Sequence, residues 1–197
     1  MFVSFEGVDG SGKSTQARLL AEHLDSAGRD VVLTREPGGT PLGEAIRELL
    51  LAGEAMAPWA EAALFAAARA ALVADVIAPA LDRGAWVVCD RFVHSSLAYQ
   101  GIARGLGVDE VLELNLPGLA GRLPDRTFVL LLDAEQAAAR LGAPDRMERE
   151  GDAFRARVND AYAELARRFP ERMVTLDGGK TVDELAAAVR EDLQAHV

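Results

Sequence analysis

The chain has 197 residues, of which 50% are hydrophobic and 26% charged, with a net charge of −10. That length suits one domain with a substantial buried core. The acidic balance argues against a broad nucleic-acid-binding face, while a few placed arginines can still build a local anion site.

The chain enters an apolar, strand-like run at once, Phe2–Glu6, so no signal peptide is expected. The stretch "EGVDGSGKST" (residues 6–15) leads into a helical run, "KSTQARLLAEHLDSAG", that Gly28 should end as a C-cap. Asp30–Thr34 predicts a second strand, "REPGGTPLG" a turn-rich segment, and Glu44–Ala52 a helix. A long helix is expected over Pro58–Leu81. No apolar stretch of about 20 residues is free of charges or breakers, so no membrane span is expected. Ala85–Asp90 is a third strand, nearly all apolar, as a strand covered on both faces must be. It holds the only cysteine, Cys89, which excludes an internal disulfide, fits a reducing cytoplasm and reads as a small buried hydrophobe. Arg126–Asp133 and Arg172–Asp177 are the fourth and fifth strands, with helices over Asp152–Arg168 and Val182–Ala195. Strands alternating with helices predict an α/β fold, a parallel sheet covered on both faces, in one domain spanning residues 1–197. The short charged loop Gly142–Gly151, within a segment of about residues 140–151, reads as a mobile lid.

Gly7–Ser14 fits the pattern G-x-x-x-x-G-K-[ST], a phosphate cradle, and lies between a strand and a helix as that motif requires. The chain contains two lysines, Lys13 and Lys180, and Lys13 fills the motif's lysine position. Chance places the pattern in such a chain roughly once in a thousand. Gly7, Val8, Asp9, Gly10, Ser11, Gly12, Lys13, Ser14 and Thr15 are therefore the candidate ATP-binding residues. Backbone N–H groups and the helix N-terminus would meet the phosphates, Lys13 would bridge β and γ, and Ser14 would ligate Mg²⁺. Asp9 is either a solvated turn residue or a partner for the cation or a sugar hydroxyl. Asp90 and Arg91 end the third strand, on the edge where open α/β sheets bind ligands. Asp90 can help hold Mg²⁺ and Arg91 can clamp a phosphate, unless Arg91 is an ordinary surface arginine. Phe65 and Arg69 share a helix face, fit either to meet a nucleobase or to sit in the core.

Five motifs occur in an order that resembles the thymidylate kinases: "EGVDGSGKST", "TREPGGTPLGEAIRELL", "LFAAARAAL", "DRFVHSSLAYQG" and "PDRME". The resemblance spans almost the whole chain. It implies a P-loop nucleoside-monophosphate-kinase fold with a five-stranded parallel sheet and a short lid. The implied reaction is ATP plus dTMP to ADP plus dTDP with Mg²⁺, in a homodimer; the cysteine usage, acidic charge and hydropathy add the expectation of a cytoplasmic protein without nucleic-acid or membrane partners. By motif position, Phe65 stacks on thymine, Arg69 donates to its O4, and Ser96 and Gln100 contact the base. Tyr99 lies near the deoxyribose. Arg35, Glu36, Arg47 and Arg91 match the sugar and 5′-phosphate pocket, with Asp9 at the sugar end. Gly10 stands where some members carry a P-loop arginine, which resembles the bacterial subclass whose lid supplies the catalytic arginine. Arg146, within "PDR", is the first candidate for that role and Arg140 the second, with Arg149 also in range. A kinase for another nucleotide or nucleoside acceptor is the competing reading. A nucleotide switch lacks the N-K-x-D motif, and a nucleic-acid ATPase is disfavoured by charge.

Overall fold

The computed structural model describes residues 1–52, 54–133, 136–137, 139–140, 146–194 and 196. Of the expected lid, residues 141–145 lie outside the described residues. Five strands, β1 (Phe2–Gly7), β2 (Val31–Arg35), β3 (Trp86–Asp90), β4 (Arg126–Leu131) and β5 (Met173–Asp177), form one sheet in the order β2-β3-β1-β4-β5. All four pairings are parallel. In this register Phe5 and Arg35 both pair with Asp90, and Gly7 pairs with Leu130. The carboxyl ends of β1, β2 and β3 are thereby level, and the residues that follow them gather on one edge.

Helices cover both faces. On one, α1 (Lys13–Ser26) and α8 (Val182–Leu193) pack Leu20, Leu24, Leu185 and Val189 onto Val3, Phe5, Val88 and Phe128. The strands alternate, so Phe2, Val87 and Cys89 face the opposite side. There they meet the continuous helical run that begins with α3 (Pro58–Leu72), passes a π-helical turn (Val73–Ile77) and ends with α4 (Ala78–Asp82). Each large apolar side chain buried in this way contributes about 1.5–3 kcal/mol. Further helices on that side are α2 (Pro41–Ala52), α5 (Val93–Ser96), α6 (Val108–Leu119) and α7 (Asp152–Arg168), with a second π-helical stretch over Leu97–Ala103.

Local chemistry explains the boundaries. Gly28 adopts φ +75° past the end of α1, and Arg29 N–H returns to the Leu24 carbonyl at 3.0 Å, closing the helix. Thr181 and Glu184 form a reciprocal capping box at α8. Helix α2 begins at Pro41, three residues before the expected Glu44, because proline suits a first turn and Thr40 Oγ1 accepts from the Gly43 N–H at 3.0 Å. The run Pro58–Asp82 is long and apolar enough, by length and composition, to cross a membrane. That qualifies the expectation drawn from its charges; here its Leu72, Val73 and Ile77 are packed against the sheet.

Candidate active site

At the carboxyl edge of the sheet lies an open cavity. Asp9 of the glycine loop, Glu36 and Pro37 after β2, and Arg91 after β3 line it. Arg47 comes from α2, Phe65 from α3, Ser96 from the end of α5, and Tyr99 and Gln100 from the π-helical stretch. Seven of the residues expected at the substrate, besides Asp9, are thus brought together: Glu36, Arg47, Phe65, Arg91, Ser96, Tyr99 and Gln100. The cavity has an aromatic and amide end and a guanidinium end.

Arg91 is the centre of the guanidinium end. Its Nη2 donates to Asp9 Oδ1 at 2.5 Å, and its Nη1 to Ser95 Oγ at 3.1 Å and Tyr162 Oη at 3.2 Å. Its backbone is left-handed, φ +70°, a strained conformation for a long side chain that aims it across the loop. Behind it Glu6, fully buried, accepts from Phe92 N–H, Ser95 Oγ and Tyr162 Oη. Burial pushes the Glu6 carboxyl up, opposed by Ser95 and Arg91. Burial would also raise Asp9, but Arg91 and Lys13 outweigh it and hold that carboxyl far below its ordinary value. Arg47 donates to the Pro37 carbonyl at 2.9 Å from the same end.

In the glycine loop Lys13 is buried and lies back along it, donating to the Val8 carbonyl at 2.8 Å and reaching Asp9 Oδ1 at 3.5 Å. Gly10 has φ +82°, and a Cβ there would sit 2.6 Å from the Ala137 carbonyl oxygen, so an arginine cannot take its place without moving that segment. Ser14 Oγ donates to Asp90 Oδ2, while Asp90 Oδ1 and Ser11 Oγ are buried without partners. The unpaired Asp90 Oδ1, with the Ser14 hydroxyl beside the other carboxylate oxygen, is oxygen chemistry that suits a hard divalent cation.

Three expected roles need correction. Arg69 is 1% exposed and does not line the cavity. Its Nε and Nη2 donate to Glu36 Oε2 at 2.9 and 2.5 Å, Nη1 to Ser96 Oγ and Asn115 Oδ1, and Nη2 also to the Phe92 carbonyl. All five of a guanidinium's N–H groups are occupied, so here it braces the pocket wall instead of donating to a base. Arg35 holds Glu44 through two bonds of 3.0 Å and lines a separate cleft with Ser14 and Asp90, not the main cavity. Arg146, the first lid candidate, is buried with Nε on the Leu50 carbonyl at 2.6 Å and Nη2 on Glu61 Oε2 at 2.8 Å. Arg140 lies at the loop itself, its Nη1 3.5 Å from the Gly10 carbonyl and 3.2 Å from that of Gly178. Arg149 is exposed.

A thymidylate kinase family model matches residues 5–189. The chain belongs to the thymidylate kinase family. It is 51% identical to the thymidylate kinase of Pelotomaculum thermopropionicum, over 91% of this chain and 86% of that one. It is 50% identical to the thymidylate kinase of Leifsonia xyli, over 100% of this chain and 96% of that one. The crystal structure of thymidylate kinase from Ehrlichia chaffeensis superposes with a TM-score of 0.83 at 35% identity, covering 98% of each chain. The P-loop nucleoside-monophosphate-kinase fold anticipated from the motifs is therefore the fold of this thymidylate kinase family member.

Sequence reasoning missed Ser95, which lines the cavity, and Glu61, Glu6, Asn115 and Tyr162, which support the lining residues. Glu61 had a signal: it stands four residues before Phe65 and eight before Arg69, on the same helix face. Burial pushes Glu36 up to about 7, with Arg69 opposing and Glu6 adding to the rise; its Oε1 has no partner. His94 is buried against Thr127 and Phe169, and burial with Arg172 and Arg69 lowers it to about 3.

Proposed function

We infer that this protein transfers the γ-phosphoryl group of ATP to dTMP, giving dTDP and ADP. The observation that carries it is the two-ended cavity opening onto the glycine loop at Asp9, in a chain of this family. A thymine stacked on Phe65 would meet Ser96 and Gln100, and Tyr99 would lie along the deoxyribose. Arg47 and Arg91 would take the 5′-phosphate, Glu36 would close the wall between the two ends, and Arg69 would hold Glu36 and Ser96 from behind. Asp9, beside Arg91, faces the sugar end. Gly7–Thr15 would cradle the ATP phosphates.

The acceptor is a phosphate oxygen that is already anionic, so no strong base is needed; the chemistry is positioning and charge neutralisation. Lys13 swings from the Val8 carbonyl to the β- and γ-phosphates, and Arg91 holds the acceptor phosphate in line. Ser14 and Asp90 would hold Mg²⁺, directly or through water, and when bound the cation neutralises charge on the donor phosphates. Arg140 is the lid arginine best placed to reach the transferring group, ahead of Arg146, which is engaged elsewhere. Closing the site around these cations strengthens each interaction by excluding water.

The same proposal includes a cytoplasmic homodimer. Leu42 and Leu49 of α2, Trp59 of α3 and Leu114 and Leu116 of α6 are exposed apolar side chains on helices that pack side by side, and covering such apolar surface would favour a second copy. Sedimentation would show twice the monomer mass, and a monomer at micromolar concentration would reject the dimer. The activity is tested by offering dTMP, dUMP, dCMP, AMP and thymidine with ATP. Transfer should be fastest to dTMP and absent for thymidine, which lacks the acceptor phosphate. No transfer to dTMP would overturn the function.

A further inference from the structure

Glu61 sits in the first turn of α3, 0% exposed, and its two carboxylate oxygens carry four contacts. Oε1 accepts from Gln100 Nε2 at 2.9 Å and Arg104 Nε at 3.3 Å. Oε2 accepts from Arg104 Nη2 at 3.2 Å and Arg146 Nη2 at 2.8 Å. Arg146 is itself fixed to the end of α2, through the Leu50 and Leu51 carbonyls, and Arg104 also reaches Glu150 at 2.7 Å. Burial pushes the Glu61 carboxyl up, but Gln100, Arg146 and Arg104 outweigh it and hold it below its ordinary value. It is a carboxylate, and a carboxylate only accepts.

That fact settles the direction of a side chain that is otherwise symmetric in shape. The amide facing Glu61 must be the NH₂ end of Gln100, so its carbonyl Oε1 is turned the other way. Gln100 lines the substrate cavity, and among the described residues its Oε1 accepts no hydrogen bond. We propose that Glu61 is a positioning residue that sets the polarity of the base pocket, locking Gln100 so that an acceptor, and not a donor, meets the pyrimidine ring. An acceptor pairs with the N3–H of thymine or uracil and confronts the bare N3 lone pair of cytosine. Arg104 and Arg146 keep the lock in its ionised form. The assignment rests on the proposed base contact of Gln100 and names what makes that contact selective.

The test compares kcat and KM for dTMP and 5-methyl-dCMP, which share the methyl group and differ only at N3 and C4. The proteins are the parent, Glu61→Asp, Glu61→Gln and Gln100→Leu, at saturating ATP. Glu61→Gln lets the Gln100 amide turn over, since its own amide can donate. Glu61→Asp keeps the charge between the two arginines and withdraws the acceptor from Gln100 by one methylene, so it serves if Glu61→Gln does not fold. Both should raise the dTMP KM about tenfold while kcat stays within about threefold, and narrow the dTMP preference over 5-methyl-dCMP by about tenfold. That ratio is independent of the folded fraction, which a purely structural role would change instead. An unchanged ratio in the folded Glu61 variants, with Gln100→Leu altering it, overturns the proposal and leaves the base contact standing. If Gln100→Leu changes neither KM nor ratio, the base contact itself is wrong and the proposal falls with it.

Discussion

The two halves of the site are built on opposite principles. Around the aromatic and amide end the donors are spent inside the protein: Arg69 places all its N–H groups on Glu36, Ser96, Asn115 and Phe92, and Glu61 holds the Gln100 amide N–H beside two arginines, which leaves Glu36 Oε1 and Gln100 Oε1 as acceptors. Around the glycine loop the groups are held by few, replaceable bonds. Asp90 Oδ1 and Ser11 Oγ are buried and unpaired, and Lys13 rests on a backbone carbonyl five residues back. The first arrangement suits a neutral, shape-defined ring, which must meet fixed donors and acceptors. The second suits phosphates and a cation, which bring enough charge to reorganise a lysine and to repay unsatisfied oxygens.

If that contrast is right, damage at the base end should fall on stability and damage at the loop on turnover. The largest effect is expected for Arg69→Leu. It strands the buried Glu36 carboxyl and leaves Asn115 Oδ1 without its donor, so denaturant unfolding should show a loss of about 3–5 kcal/mol. A loss below about 1 kcal/mol would show that the cluster does not brace the pocket. Lys13→Ala should leave the unfolding midpoint nearly unchanged and lower kcat at least 10²-fold, about 2.7 kcal/mol of transition-state stabilisation. A near-parental kcat would remove the loop from the mechanism.

The two lid arginines sharpen the comparison. Arg140→Ala should cut kcat by about tenfold or more at unchanged dTMP KM, whereas Arg146→Ala, which removes a partner of buried Glu61, should lower stability and raise dTMP KM. The reverse pattern would restore Arg146 to the phosphates. The smallest effect lies away from both ends. His94 is lowered to about 3 by burial, so below its ordinary value the unfolded chain binds a proton that the folded chain refuses. Its neutral burial is therefore favourable above pH 6.5 and its contribution is lost as pH falls from there toward 3, by roughly 1 kcal/mol at pH 6. His94→Gln should flatten this acid-side slope in denaturant midpoints taken between pH 8 and 5; an unaltered slope would place the proton elsewhere.

Much of the framework was legible because its signals are local. The strands at Phe2, Val31, Trp86, Arg126 and Met173 began within one residue of expectation, since runs such as "WVVCD" admit no other burial. Helix Asp152–Arg168 kept its expected bounds. The helical stretch carrying Tyr99 and Gln100 was not located, because "SSLAYQGIA" mixes small, polar and aromatic residues without a clear period. The arginines were misassigned for a different reason. A guanidinium's partner is chosen by what the fold brings within 3 Å, and residues 36, 69, 96 and 115 are neighbours only after the sheet and α3 have packed.

By itself the sequence determined the alternation of strands and helices, the phosphate loop with its single available lysine, and the family motifs that name both nucleotides. These depend on spacing along one chain, which backbone geometry converts directly into position. Only the tertiary structure decided which arginines face the cavity and which brace it, and which end of the Gln100 amide is turned outward. Side-chain direction in a buried cluster is set by competition among all nearby donors and acceptors, and that competition has no partners until the chain is folded.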